Sequence, residues 1–130
     1  MITIATQIAV FLDNRPGTLA RLCQALSKAH VNILGLSISE AIDHAVVRLV
    51  VDKPKEAEQV LGGLKAMTQS RDVVFMDVEN KVGEMARIAQ QLAEAGINIE
   101  YAYCTASPSH SAGAIILRTT DLEATISALS

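Results

Sequence analysis

The sequence predicts an α+β fold: two ferredoxin-like βαββαβ units in tandem, with antiparallel sheets and the helices of each unit on one face. Three observations point there. Apolar runs of strand length alternate with runs of helical periodicity in the order strand, helix, hairpin, helix, strand. The residues from Asn80 repeat those from Asn14 at a constant offset of 66, with nine identities in twenty gapless positions, among them Asn14/Asn80, Gly17/Gly83, Arg21/Arg87, Leu26/Leu92, Asn32/Asn98 and Ile33/Ile99. Each copy also turns on the same strand-to-helix corner, Asp13-Asn14-Arg15-Pro16-Gly17-Thr18-Leu19 in the first and Glu79-Asn80-Lys81-Val82-Gly83-Glu84-Met85 in the second.

Residues 4–12 begin with alternation and end apolar, as a strand with a buried face does. Pro16 suits the first position of a helix, where a missing N–H costs nothing. Asn14 stands before it as a cap or Asx-turn residue. Leu19, Leu22, Cys23 and Leu26 recur at helical spacing and predict a helix over about 16–29. Alternation over 31–39, a turn at Asp43-His44 and an apolar run over 45–51 predict a hairpin. Asp52-Lys53-Pro54 opens a second helix. Its stripe is Ala57, Val60, Leu61, Leu64 and Met67, weakened in the middle by Gly62-Gly63 at roughly 1 kcal/mol per glycine. Residues 71–78 form one extended run where two strands are needed, so one long strand serves both copies or the first copy lacks its fourth.

The second copy repeats the programme. Met85, Ile88, Ala89, Leu92 and Ala95 mark a helix, and Gly96 sits where a left-handed C-terminal residue belongs. Strands over 97–105 and 114–119 flank the polar turn 107–111. Thr120-Asp121-Leu122-Glu123 has capping-box spacing before a short final stripe. The boundaries are 1–70 for the first unit and 71–130 for the second, whose closing strand is missing or shared. An uncovered sheet edge there calls for a partner chain.

Composition excludes several classes of function. Half the residues are apolar but aromatics are 3% and Trp is absent, so the core is aliphatic and base-stacking platforms are lacking. With net charge −3 and no basic run, no nucleic-acid partner is expected. No apolar run approaches the roughly 18 residues of a membrane span and no signal peptide is seen, so no membrane partner and a cytoplasmic location are expected. Cys23 and Cys104 read as small buried hydrophobes. No metal-ligand spacing occurs, and no cofactor is called for. Neither a nucleophile–base pair nor a close carboxylate pair is present, so no enzyme activity is expected. His30, His44 and His110 read as surface residues. Arg48 and Arg118 occupy comparable third-strand positions.

With Asn14-Arg15-Pro16-Gly17-x-Leu19 followed by Val31-Asn32-Ile33, the first copy resembles an ACT domain. The second resembles the same family through Asn80-Lys81-Val82-Gly83-x-Met85 and Ile97-Asn98-Ile99. The resemblance covers nearly the whole chain and is to the small stand-alone tandem ACT proteins. It implies a non-catalytic, allosteric regulatory module that binds a small ligand, most often an amino acid, at an interface between ACT-like units. It further implies a regulated enzyme as partner, while the apolar sheet faces and the missing edge strand point to a homodimer rather than a lone monomer. By position, Asn14 and Asn80 match the corner asparagine that contacts the ligand, and Asn32 and Asn98 the one that opens the second strand. Leu12 and Val78 stand where some serine-binding members carry histidine, which argues against serine.

The corner residues have chemistry of their own. Helix N-terminal N–H groups suit a carboxylate. Gly17 and Gly83 let a ligand approach the backbone. An asparagine amide donates to carboxylate and accepts from ammonium. The positions that the resemblance implies and this chemistry together give the candidate ligand-binding residues: Leu12, Asn14, Arg15, Gly17, Thr18, Asn32, Asn80, Gly83 and Asn98. Glu84 adds negative charge to the second corner and competes with a carboxylate there, so the first corner is favoured. The alternative reading is a protein–protein interaction and dimerisation module with no small ligand, its asparagines serving only as caps and turn residues.

Overall fold

A computed structural model describes all residues, 1–130. The elements in chain order are β1 (Ile2–Asp13), α1 (Thr18–Lys28), β2 (Ile33–Glu40), β3 (His44–Val51), α2 (Pro54–Gly63), β4 (Met67–Glu79), α3 (Glu84–Glu94), β5 (Ile99–Thr105), β6 (Ala112–Thr119) and α4 (Leu122–Leu129). They fall into two compact units, Thr6–Arg71 and Asp72–Ser130, the latter including Met1–Ala5.

In the first unit the strand order is β2-β3-β1-β4, the last place being taken by residues 67–71. β1 and β3 pair antiparallel from Gln7↔Val50 to Asp13↔His44, and β2 pairs antiparallel with β3. Alternate residues of these strands point to one face, and there Ile8, Val10, Val47, Leu49 and Val51 meet Leu22 and Leu26 of α1 and Ala57 and Leu61 of α2. Both helices thus cover the same face through one aliphatic core.

The second unit has the equivalent order, β5-β6-β4, closed by residues 2–5 of β1. The chain's own first residues therefore supply the fourth strand of this unit. The Asp77 N–H donates to the Met1 carbonyl at 3.0 Å, and Ile2 packs on the core of Val74, Met76, Ile88, Leu92, Ile115 and Leu117. This edge needs no partner chain to complete it, contrary to the sequence expectation.

Several boundaries differ from expectation, each for a local reason. α1 begins at Thr18 because Gly17 adopts φ 92, a left-handed conformation that no helical residue shares, which leaves Pro16 outside the helix. α2 ends at Gly63 rather than running to Met67. Leu64 is its cap and Lys65 takes φ 57, with Lys65 N–H donating to Gly62 O and Ala66 N–H to Leu61 O, a Schellman closure. The glycine pair thus occupies the last turn of the helix rather than its middle, and Met67 becomes a strand residue. α1 closes the same way through His30 at φ 57, and α3 through Gly96 at φ 72, as the sequence implied for the latter. α4 is capped by Asp121, whose carboxylate accepts from Ala124 N–H, not by Thr120. Cys23 is only half-buried and Cys104 is exposed, so neither is the buried hydrophobe expected. No helix is long and apolar enough to cross a membrane.

Candidate functional site

The two corners are built alike. Each leaves its strand, turns through a glycine at φ 92 (Gly17) or 87 (Gly83), and enters a helix whose N-cap makes no side-chain hydrogen bond. Neither asparagine caps its helix. Asn14 Nδ2 donates to the Glu40 carboxylate at 3.1 Å and to Ala41 O at 3.2 Å, and its N–H donates to Asp43 O. Asn80 Nδ2 donates to Ser107 O at 2.8 Å and His110 O at 2.9 Å, and its N–H to Ser111 O. Each asparagine ties its corner to the hairpin turn of its own unit, and the amide donors are spent on that turn. Thr18 Oγ1 closes the first corner further by donating to Asp13 O at 2.9 Å.

Beside the first corner lies a cavity of about 310 Å³, at the small end of ligand-pocket volumes. The end of β1 (Phe11, Leu12, Asp13), the corner and first turn of α1 (Arg15, Thr18, Arg21, Leu22) and the α2–β4 turn (Leu64 to Met67) line it. The floor is aliphatic and the rim charged. Arg15 reaches Asp13 at 3.5 Å, both side chains being largely exposed, so this pair holds the rim only loosely.

The second corner has a smaller cavity of about 140 Å³ with different walls: Val78 to Lys81, Glu84 and Met85 on one side, residues of β5 and β6 on the other. Glu84 is buried yet paired with the Arg87 guanidinium one turn along α3. That hydrogen bond, more than the field of Arg87 and Lys81, holds its carboxyl below the usual carboxylate range. Lys81 is paired with Glu79 at 2.9 Å. The charges of this corner are thus consumed within it.

Of the residues singled out from sequence, Leu12, Arg15 and Thr18 line the first cavity together, with Gly17 in the turn between them. Asn80 lines the second, with Gly83 in its turn. Asn32 lies at the far end of its unit, an 11-residue helix away from the corner, where its N–H donates to the Asp52 carboxylate at 2.8 Å. Asn98 holds the matching place, its carbonyl accepting from Thr120 N–H. Both side chains are exposed. The wall residues that sequence reasoning passed over as site residues are Phe11, Asp13, Arg21, Leu22, Leu64, Lys65, Ala66 and Met67. Arg21 was legible, since it follows Thr18 by three residues and so shares its helix face. The α2–β4 turn was legible only through Gly62-Gly63, had the pair been read as a stop.

A family model described as an ACT domain pair matches residues 2–128. The chain belongs to the ACT domain pair family. This ACT pair is similar to the solved structure of protein BT0572 from Bacteroides thetaiotaomicron, at 27% identity and TM-score 0.90, over 98% of this chain and 88% of that one. It is also similar to the regulatory subunit of aspartate kinase from Thermus thermophilus in its ligand-free form, at 19% identity and TM-score 0.74, over 98% and 93% of the two chains. A third similar structure is a putative C-terminal regulatory domain of aspartate kinase from Porphyromonas gingivalis, at 16% identity and TM-score 0.62, over 100% and 94%. The last two likenesses concern the fold. No curated protein matches the ACT pair.

Proposed function

We propose that this ACT pair is a non-catalytic regulatory module that binds an amino acid in the cavity beside the first corner and passes the binding event to a partner enzyme. The observation that carries the reading is the cavity itself. It combines an aliphatic floor, Leu12, Leu22 and Leu64, with charged groups of both signs at its rim, which is what a zwitterion with a side chain requires. Of the solved structures it resembles, one is the regulatory subunit of an aspartate kinase and another a putative regulatory domain of one, which supports a regulatory role. Any regulation would be limited by the difference in ligand affinity between two states of the protein.

A thermal-shift screen of the twenty amino acids at millimolar concentration tests this. A ligand at 100 times its Kd raises stability by about 2.7 kcal/mol, well within detection. Arg15→Ala should weaken that stabilisation without lowering the melting temperature of the free protein. Absence of stabilisation by every amino acid would count decisively against the reading.

A second reading, a homodimerising or protein-docking module, is favoured by a different feature. β2 ends the strand order of its unit, and Leu34, Leu36 and Ile38 on it are 42%, 37% and 47% exposed. Light scattering of Leu36→Lys/Ile38→Lys against the parent chain distinguishes the two. A dimer that becomes a monomer supports docking through this strand, and an unchanged mass refutes it.

A further inference from the structure

The charge around the first cavity says more about its ligand than its volume does. Three cations, Arg15, Arg21 and Lys65, and one carboxylate, Asp13, line it. This local excess of positive charge occurs in a chain of net charge −3. Only Arg15 has an acidic partner in the wall, and that contact is a long 3.5 Å between exposed groups. Arg21 and Lys65 come from different elements, the first turns of α1 and the turn after α2, and converge on the same space. In the second corner the comparable groups, Glu79, Lys81, Glu84 and Arg87, are paired among themselves, and the wall there carries one cation against two carboxylates.

We propose that the ligand of the first cavity is an α-amino dicarboxylate, an amino acid whose side chain ends in a carboxylate. The inference rests on the amino-acid reading above and specifies its ligand class. Three cations complement two carboxylates, and Asp13 complements the ammonium. The aliphatic floor takes the methylenes between them. A neutral or cationic side chain leaves Arg21 and Lys65 facing an uncharged or like-charged group, and like charge is the stronger source of discrimination.

Isothermal titration of the whole chain with L-glutamate, L-aspartate, L-glutamine, L-asparagine and L-lysine tests the assignment. At low ionic strength one of the two acids should bind at least tenfold more tightly than its own amide, L-lysine should bind weakest, and the preference should shrink as salt is added. Arg21→Gln/Lys65→Gln should remove most of the preference while leaving the melting temperature of the free protein within about a degree, since both side chains are exposed. Binding of a neutral amino acid as tight as that of the acids would overturn the dicarboxylate assignment and leave the amino-acid reading standing. Heat from none of the five, with no stabilisation in the broader screen, would overturn both. A preference for the acid that survives the double substitution would overturn the assignment to this cavity.

Discussion

Asn80 offers the sharpest way to separate a turn latch from a ligand clamp. Its amide donates to two backbone carbonyls, Ser107 O at 2.8 Å and His110 O at 2.9 Å, near the surface. Asn80→Ala loses both bonds, but water can reach the carbonyls. At the lower end of about 0.5–1.5 kcal/mol per bond, the expected cost is about 1–2 kcal/mol. Asn80→Asp keeps the shape and reverses the chemistry: an ionised carboxylate has no donor and places negative charge against two carbonyl oxygens. The expected cost at neutral pH is larger, about 2–3 kcal/mol. The introduced carboxyl binds the turn only when protonated, so its folded pKa is raised above the unfolded value of about 3.9. A group raised in this way adds stability below its unfolded pKa and loses it as pH rises through the folded one. The Asp variant should therefore regain stability relative to the Ala variant between pH 7 and about pH 4. Urea denaturation followed by circular dichroism measures this, provided the slopes agree between variants. A helix-cap or ligand-facing role makes the opposite demand, because Asp is as good an N-cap as Asn. If Asn80→Asp equals the parent protein in stability, the latch is wrong.

Further outcomes follow from the same structure. Gly17→Ala should cost about 1–2 kcal/mol although no atom lies within 4 Å of an added Cβ, because φ 92 alone is strained for an L-residue; equilibrium unfolding checks it. Gly113→Ala should be worse, since its Cβ would stand 2.5 Å from the Thr105 carbonyl oxygen across the β5–β6 pair, and loss of soluble folded protein is the readout. His30→Gly should raise stability by up to about 1 kcal/mol by relieving φ 57 at a place where the second copy has Gly96; a thermal melt shows it. The Glu84 carboxyl, held low chiefly by Arg87, contributes stability that is complete above its unfolded pKa and is lost as pH falls through the lower folded value. An acid titration of Glu84→Gln should accordingly fall less steeply than that of the parent below about pH 4.5.

The sequence carried the fold because local and repeated signals agreed. The offset between Asn14 and Asn80 located both corners, and the helical stripes of α1 and α3 located the cores. What it hid was non-local. Nothing in Ile2 to Ala5 says that these residues close the second unit, because strand pairing depends on topology and not on local pattern. Pro16 suggested a helix start that the left-handed Gly17 moved by two residues. Met67 kept helical spacing by coincidence, after α2 had already closed at Leu64 and Lys65. The candidate site was half legible. Arg15 and Thr18 belong to the motif and Leu12 precedes it by one residue, whereas Lys65 and Met67 arrive from the α2–β4 connection about 50 residues away. The recurrence of Asn14 and Asn80 marked a shared structural tie to the hairpin turns, a role that duplication preserves as readily as a binding role.

The central claim, that the first corner and not the second receives the ligand, is tested most directly by a ¹⁵N–¹H NMR titration of the whole chain with whichever of L-glutamate and L-aspartate binds more tightly. Shift changes should concentrate at 11–22 and 64–67 and saturate together, with 78–85 and 104–115 unmoved. Saturating changes centred on Glu79, Lys81 and Glu84, with the first corner silent, would contradict it.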